Sequence, residues 1–106
     1  MPKRTRRYEE SLHEDLKDPD EAAAYLNAHL EDESADSDEL FLLALRDVAK
    51  AHGFTEVAQN AELGRESLYK ALSATGNPRL STLSSLLKVM GLRLAVEVEG
   101  NQRKSA

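Results

Sequence analysis

The chain contains no cysteine and no tryptophan. Without thiols it has no disulfide, no thiolate metal site and no cysteine nucleophile, a composition that suits a reducing compartment. Aromatic residues make up only 5% of it, so its core must be built from aliphatic side chains and alanine. No run of about twenty apolar residues is present, and the opening MPKRTRRYEE lacks the apolar stretch of a secretory signal. These absences point to a soluble protein of the cytoplasm. At 106 residues there is material for one modest core, or for a small domain with an attached arm, and not for two large domains.

What is present is charge, unevenly placed. The net charge of -5 averages three blocks. KRTRR at residues 3–7 is basic, residues 9–39 carry thirteen Asp or Glu against the single Lys17, and from Lys50 to Arg93 six Lys or Arg face three Glu. An acidic segment thus precedes a mildly basic one, and the distribution bears on partners more than the sum does.

Apolar spacing and capping residues divide the chain further. Tyr8, Leu12 and Leu16 recur every four residues, the period of one helical face. Asp18, Pro19 and Glu21 read as N-cap, first helical residue and capping-box acid of a second helix whose stripe is Ala22, Leu26 and Leu30. The polar run DESADSD, residues 32–38, has no apolar period and reads as a linker. Leu40 to His52 then forms a helix apolar on more than one side, stopped by Gly53 in a left-handed conformation.

Residues 55–61 form a short helix with Val57 and Ala58 turned inward. After a turn containing Leu63 and Gly64, a second short helix runs from Arg65 to Ser73. Leu68 and Leu72, four apart, anchor that second helix and leave Arg65, Glu66, Ser67, Tyr69 and Lys70 outward. Two short helices crossing closely at a small alanine are the build of a helix-turn-helix. In that arrangement the second helix enters the major groove, where Arg pairs bidentately with guanine and Lys reaches guanine or phosphate. Thr55, Asn77 and Arg79 complete the candidate DNA-binding set. Glu66 can accept from a cytosine amino group, or can simply favour the helix dipole; Tyr69 can donate to a phosphate or pack half-buried. A turn at Gly76, Asn77 and Pro78 precedes a helix carrying Leu80, Leu83, Leu86, Leu87 and Met90, which Gly91 ends. LRLAVEV, residues 92–98, then alternates strictly, with Leu92, Leu94, Val96 and Val98 on one face. A single strand leaves its ladder bonds unmade, so it is expected to pair with a second copy, making those four residues the candidate dimer contacts, or with a partner protein.

Taken together, the RESLYKALS helix, the NP turn, the MGLRLAV end and the approach YL…FLLALRDVA make residues 8–98 resemble the addiction-module antidote proteins, HigA-like antitoxins with a lambda-repressor-like helix-turn-helix. The resemblance implies an all-α fold, here a five-helix DNA-binding domain at residues 37–98 with one C-terminal β-strand. It leaves a basic disordered tail at residues 1–7, an acidic helical arm at 8–36 and a flexible end at 99–106. It further implies neutralisation of a small RelE-like or HigB-like toxin encoded nearby, usually an mRNA-cleaving ribonuclease, and repression of the protein's own operon as a homodimer on a pseudo-palindromic operator. The arm's apolar residues Tyr8, Leu12, Leu16, Tyr25, Leu26 and Leu30 are the candidate toxin contacts; packing of the same arm onto the Leu40 to His52 helix is the other reading. One departure stands out. Members commonly carry glycine, an aliphatic residue and serine in the turn where this chain has Glu62, Leu63 and Gly64, so Glu62 is expected either to bear a left-handed strain or to reroute the turn.

Catalysis finds no footing. His13, His29 and His52 lie far apart without ligand partners at helical spacing, and no phosphate-cradling glycine loop or nucleophile elbow occurs. No enzyme activity, metal or cofactor is expected. Two other readings stay open: a stand-alone dimeric repressor without a toxin, and a protein-interaction module that has lost DNA binding.

Overall fold

The computed structural model describes residues 12–33 and 35–100. Expectations placed on the basic residues 1–7, on Tyr8 and on the chain beyond residue 100 lie outside them. Six helices are present among the described residues: α1 (residues 12–16), α2 (Pro19–Leu30), α3 (Ser37–His52), α4 (Phe54–Asn60), α5 (Arg65–Ala71) and α6 (Leu80–Val89).

One apolar cluster joins all of them. α3 supplies its centre, burying Leu42, Ala44, Leu45, Val48, Ala49 and Ala51. Against it lie Leu16 of α1, Ala22 and Leu26 of α2, Phe54, Val57 and Ala58 of α4, and Leu68 and Leu72 at α5. Leu86, Leu87 and Met90 close the cluster from α6. The aliphatic and alanine-rich composition allows such close approach; no polar residue is buried among the described residues.

The acidic segment is therefore part of the body. Asp18 caps α2, its Oδ1 accepting from Asp20 N at 2.9 Å, with Pro19 at the first helical position. The capping box expected of Glu21 does not form, because the Asp18 N–H already donates to Asp15 O (3.0 Å) as α1 runs directly into α2. Further along α2, the Tyr25 hydroxyl donates to Asp47 Oδ2 of α3 at 2.9 Å, and His29 Nδ1 donates back to Tyr25 O at 2.9 Å. α2 is thus pinned to α3 by apolar burial and by a half-buried hydrogen bond.

α3 starts at Ser37, three residues before the apolar period begins, with Asp38 and Glu39 in its first turn, where acids favour the helix dipole. Gly53, at φ 102°, ends it as expected and at once begins α4, its carbonyl accepting from Val57 N at 2.9 Å. That shared residue starts α4 at Phe54, one position earlier than the apolar pattern indicates.

The strand expected over residues 92–98 is corrected. Among the described residues there is no β-strand, and 92–98 take no regular secondary structure. A strand exists only through a ladder partner, and the described residues offer none to the segment.

Candidate functional site

The turn between α4 and α5 explains the surface it presents. At the end of α4 the Leu63 N–H reaches back to Ala58 O (2.8 Å) and the Glu62 N–H to Gln59 O (3.0 Å), satisfying two carbonyls a helix end leaves open. This closure requires a left-handed residue between helix and return, and that residue is Glu62, at φ 61°. Of the two routes anticipated for Glu62, the chain takes the strained one. α6 ends by the same device, with Leu92 N to Leu87 O (2.7 Å) and Gly91 N to Lys88 O (3.0 Å), but there Gly91 occupies the left-handed position at φ 81°. Gly64 then caps α5 in an extended conformation, its carbonyl accepting from Leu68 N at 3.0 Å.

So mounted, α5 buries Leu68 and Leu72 completely and leaves Arg65, Glu66, Ser67 and Lys70 exposed. The helix stops at Ala71, two residues short of the expected end, and the Ser73 hydroxyl donates to Lys70 O at 2.9 Å. Beyond it the chain folds tightly back: a Cβ built on Gly76 would stand 2.2 Å from Ala71 O and 2.8 Å from Lys70 O, so only glycine fits. Asn77 and Arg79 ride exposed on this return, and Thr55 is exposed on the first turn of α4.

Aromatic rings and guanidinium groups steady this surface. The rings of Phe54 and Tyr69 lie 4.3 Å apart between centroids, tilted by 35°. The Arg65 guanidinium stands 5.6 Å from the Phe54 centroid and 5.4 Å from that of Tyr69, within cation–π reach of both. From α3, Arg46 stands 5.4 Å from Tyr69 on its own account, and its Nε donates to Leu72 O at 3.2 Å, closing the C-terminal end of α5. Tyr69 is half-buried, with its ring against Phe54. Arg46 was not singled out from the sequence; an arginine inside the apolar run FLLALRDVA was the available signal.

The other candidate residues are placed as follows. Leu16 and Leu26 are 1% and 5% exposed within the chain's own core, Leu12 and Tyr25 pack half-buried against it, and of the candidate toxin contacts among the described residues only Leu30, at 57%, offers a large apolar side chain outward. Leu16 and Leu26 reach a partner only if α1 and α2 leave α3. Leu92 is half-buried, whereas Leu94, Val96 and Val98 are 43%, 97% and 80% exposed.

A family model described as "Probable addiction module antidote protein" matches residues 6–98. The chain belongs to this family. An uncharacterized protein of Haemophilus influenzae is 40% identical over 84 residues, covering 79% of the antidote chain and 84% of that relative. No solved structure matches. As an addiction module antidote, the protein has a toxin for a partner. None of the antidote's helices among the described residues is long and apolar enough to cross a membrane, and no group of metal-ligating side chains occurs among them.

Proposed function

We propose that this antidote is the antitoxin of a type II module, which neutralises a RelE-like or HigB-like toxin and represses its own operon through α5. The observation that carries the DNA half is the mounting of α5: two buried leucines hold it while Arg65, Ser67 and Lys70 point outward, and Arg65 is braced over two rings. A braced guanidinium loses less freedom on pairing with guanine, which favours a base-reading role. Thr55, Tyr69, Asn77 and Arg79 flank it at positions suited to phosphate contacts. As a homodimer, the protein would present α5 twice, to half-sites about 34 Å apart on a pseudo-palindromic operator.

The toxin half is supported by the family and by charge. The exposed acids of α1, α2 and the following turn form a surface complementary to a basic, RNA-cleaving protein. With Leu16 and Leu26 engaged inside the chain, the contact on this conformation would use Leu30, the outer edges of Leu12 and Tyr25, and the acids around them.

Two experiments test the halves separately. Co-expression with the small reading frame beside its gene should yield a co-purifying basic protein that is toxic only when this chain is absent. Titration of a labelled upstream promoter fragment against a scrambled one, at several salt concentrations, should give specific binding with a steep salt dependence. The exposed Glu66 within the basic row of α5 favours one competing reading, an interaction module without DNA binding. Salt-insensitive behaviour and no preference between the fragments would establish it in place of the repressor.

A further inference from the structure

Residues 92–98 leave the body of the molecule at Gly91 with their apolar side chains largely uncovered. Of five large apolar residues exposed among the described residues, Leu94, Val96 and Val98 belong to this segment, and Leu30 lines the same groove region at the end of α2. That groove, about 910 Å³, runs between the segment and the Leu26, Leu30, Phe41 and Leu87 side chains. Asn27, Glu31 and Glu33 line the groove beside these apolar side chains, and among the described residues the backbone of the alternating segment joins no ladder.

The segment is complementary to itself. Laid antiparallel against a second copy with Ala95 opposite Ala95, it sets Arg93 opposite Glu97 and Glu97 opposite Arg93 on one face. On the other face Leu92 meets Val98 and Leu94 meets Val96, each twice. Directly opposed residues share a face, so all the apolar residues fall together and both charge pairs are matched. A one-residue slip would bring the apolar set of one copy onto the charged set of the other. A slip to a centre at Val96 matches Arg93 with Glu99 but leaves Glu97 opposite Ala95 and Leu92 opposite Gly100. We propose that residues 92–98 of two chains form an antiparallel ribbon centred on Ala95, whose apolar face closes over the grooves beside α2. Leu26, Leu30, Phe41 and Leu87 in those grooves supply the apolar backing that a two-stranded ribbon needs to persist in water, with Asn27, Glu31 and Glu33 at their polar parts. The proposal rests on the reading of this antidote as a homodimer and adds to it the interface, its two-fold axis and its register.

The test uses the full chain, which has no cysteine of its own. Ala95→Cys places two thiols across the axis, with Cα atoms about 4.5–5.5 Å apart, within disulfide range. Arg93→Cys separates them by about 14 Å, and Val96→Cys by about 8 Å along the diagonal, both beyond it. All three sites are exposed, so these variants leave the core intact. Mild oxidation should cross-link Ala95→Cys rapidly and the other two slowly. In sedimentation equilibrium the parent should be a dimer, Arg93→Glu or Glu97→Arg alone should weaken it about tenfold or more through two like-charge oppositions, and the double reversal should restore it. A monomeric parent would overturn the dimer and the ribbon together. A dimer in which Val96→Cys cross-links in place of Ala95→Cys, or in which the charge reversals change nothing, would overturn the ribbon register alone. A chain that dimerises only once its toxin is bound would assign the segment to the toxin and reject the proposal. None of these readouts involves DNA, so failure of the operator reading leaves them unaffected.

Discussion

Glu62 and Gly91 do the same work at the ends of two helices, and only one of them is glycine. A left-handed non-glycine residue costs about 1 kcal/mol or more, part of which glycine would return as unfolded-chain entropy. Glu62→Gly should therefore raise stability by about 0.5–1 kcal/mol, seen as a melting temperature a few degrees higher, with operator binding retained. Gly76 is the opposite case. Gly76→Ala forces a methyl into the Ala71 carbonyl and should cost about 1–3 kcal/mol in urea unfolding. Gly64→Ser, by contrast, meets nothing closer than Ser67 Oγ at 3.9 Å and should change stability by only a few tenths of a kcal/mol. Both glycine positions were visible in the sequence as turn residues. That Gly76 is required by the backbone carbonyls of α5, and not by a left-handed φ, was not visible, because the clash depends on how the return is folded.

At the scale of elements, α4, its turn and α5 were legible because the cues are local: Leu68 and Leu72 four apart, a small inward Ala58, and glycine on either side. The same locality sets the limit. Arg46 acts on Leu72 and Tyr69 from a different helix, twenty or more residues away in sequence, and no period reports such a contact. Leu80 shares the spacing of the α6 apolar residues, yet it is 70% exposed, since it begins α6 where the helix emerges from the return. The α5 surface yields a direct prediction. Arg65→Ala and Lys70→Ala should each weaken operator binding by about 1–3 kcal/mol if they read bases, with relaxed preference at the contacted position, measured by competition among single-base operator variants. Unchanged affinity for both would remove α5 from the recognition role. On the other side of the molecule, Tyr25→Phe removes the bond to Asp47 while keeping the ring, and should cost about 1–2 kcal/mol in denaturant unfolding.

For the whole molecule, the decisive observation is that the acidic segment and the α4–α5 pair share one core. The sequence left open whether that segment packs on the chain or waits for a partner, because an amphipathic stripe looks the same either way. Leu16, Ala22 and Leu26 are now placed, all within the body. Leu26→Ala should cost about 2–5 kcal/mol, and removal of residues 1–33 should abolish the cooperative thermal transition, monitored by circular dichroism. Residues 92–98 show the complementary limit: their alternation was legible, but whether they form a strand depends on a second chain, which no single sequence contains.

The bond from Tyr25 to Asp47, with the leucines beneath it, also bears on how such a protein changes over generations. A tail joined by a loose tether can be exchanged between genes without disturbing what it is tethered to. Here a recombination point in the polar turn after α2 would leave the recipient with a face of α3 shaped for someone else's leucines. With the toxin docked on the outer side of α2, as proposed, adaptation to a different toxin would proceed by substitution there, one exposed residue at a time, while the inner side stays in step with α3.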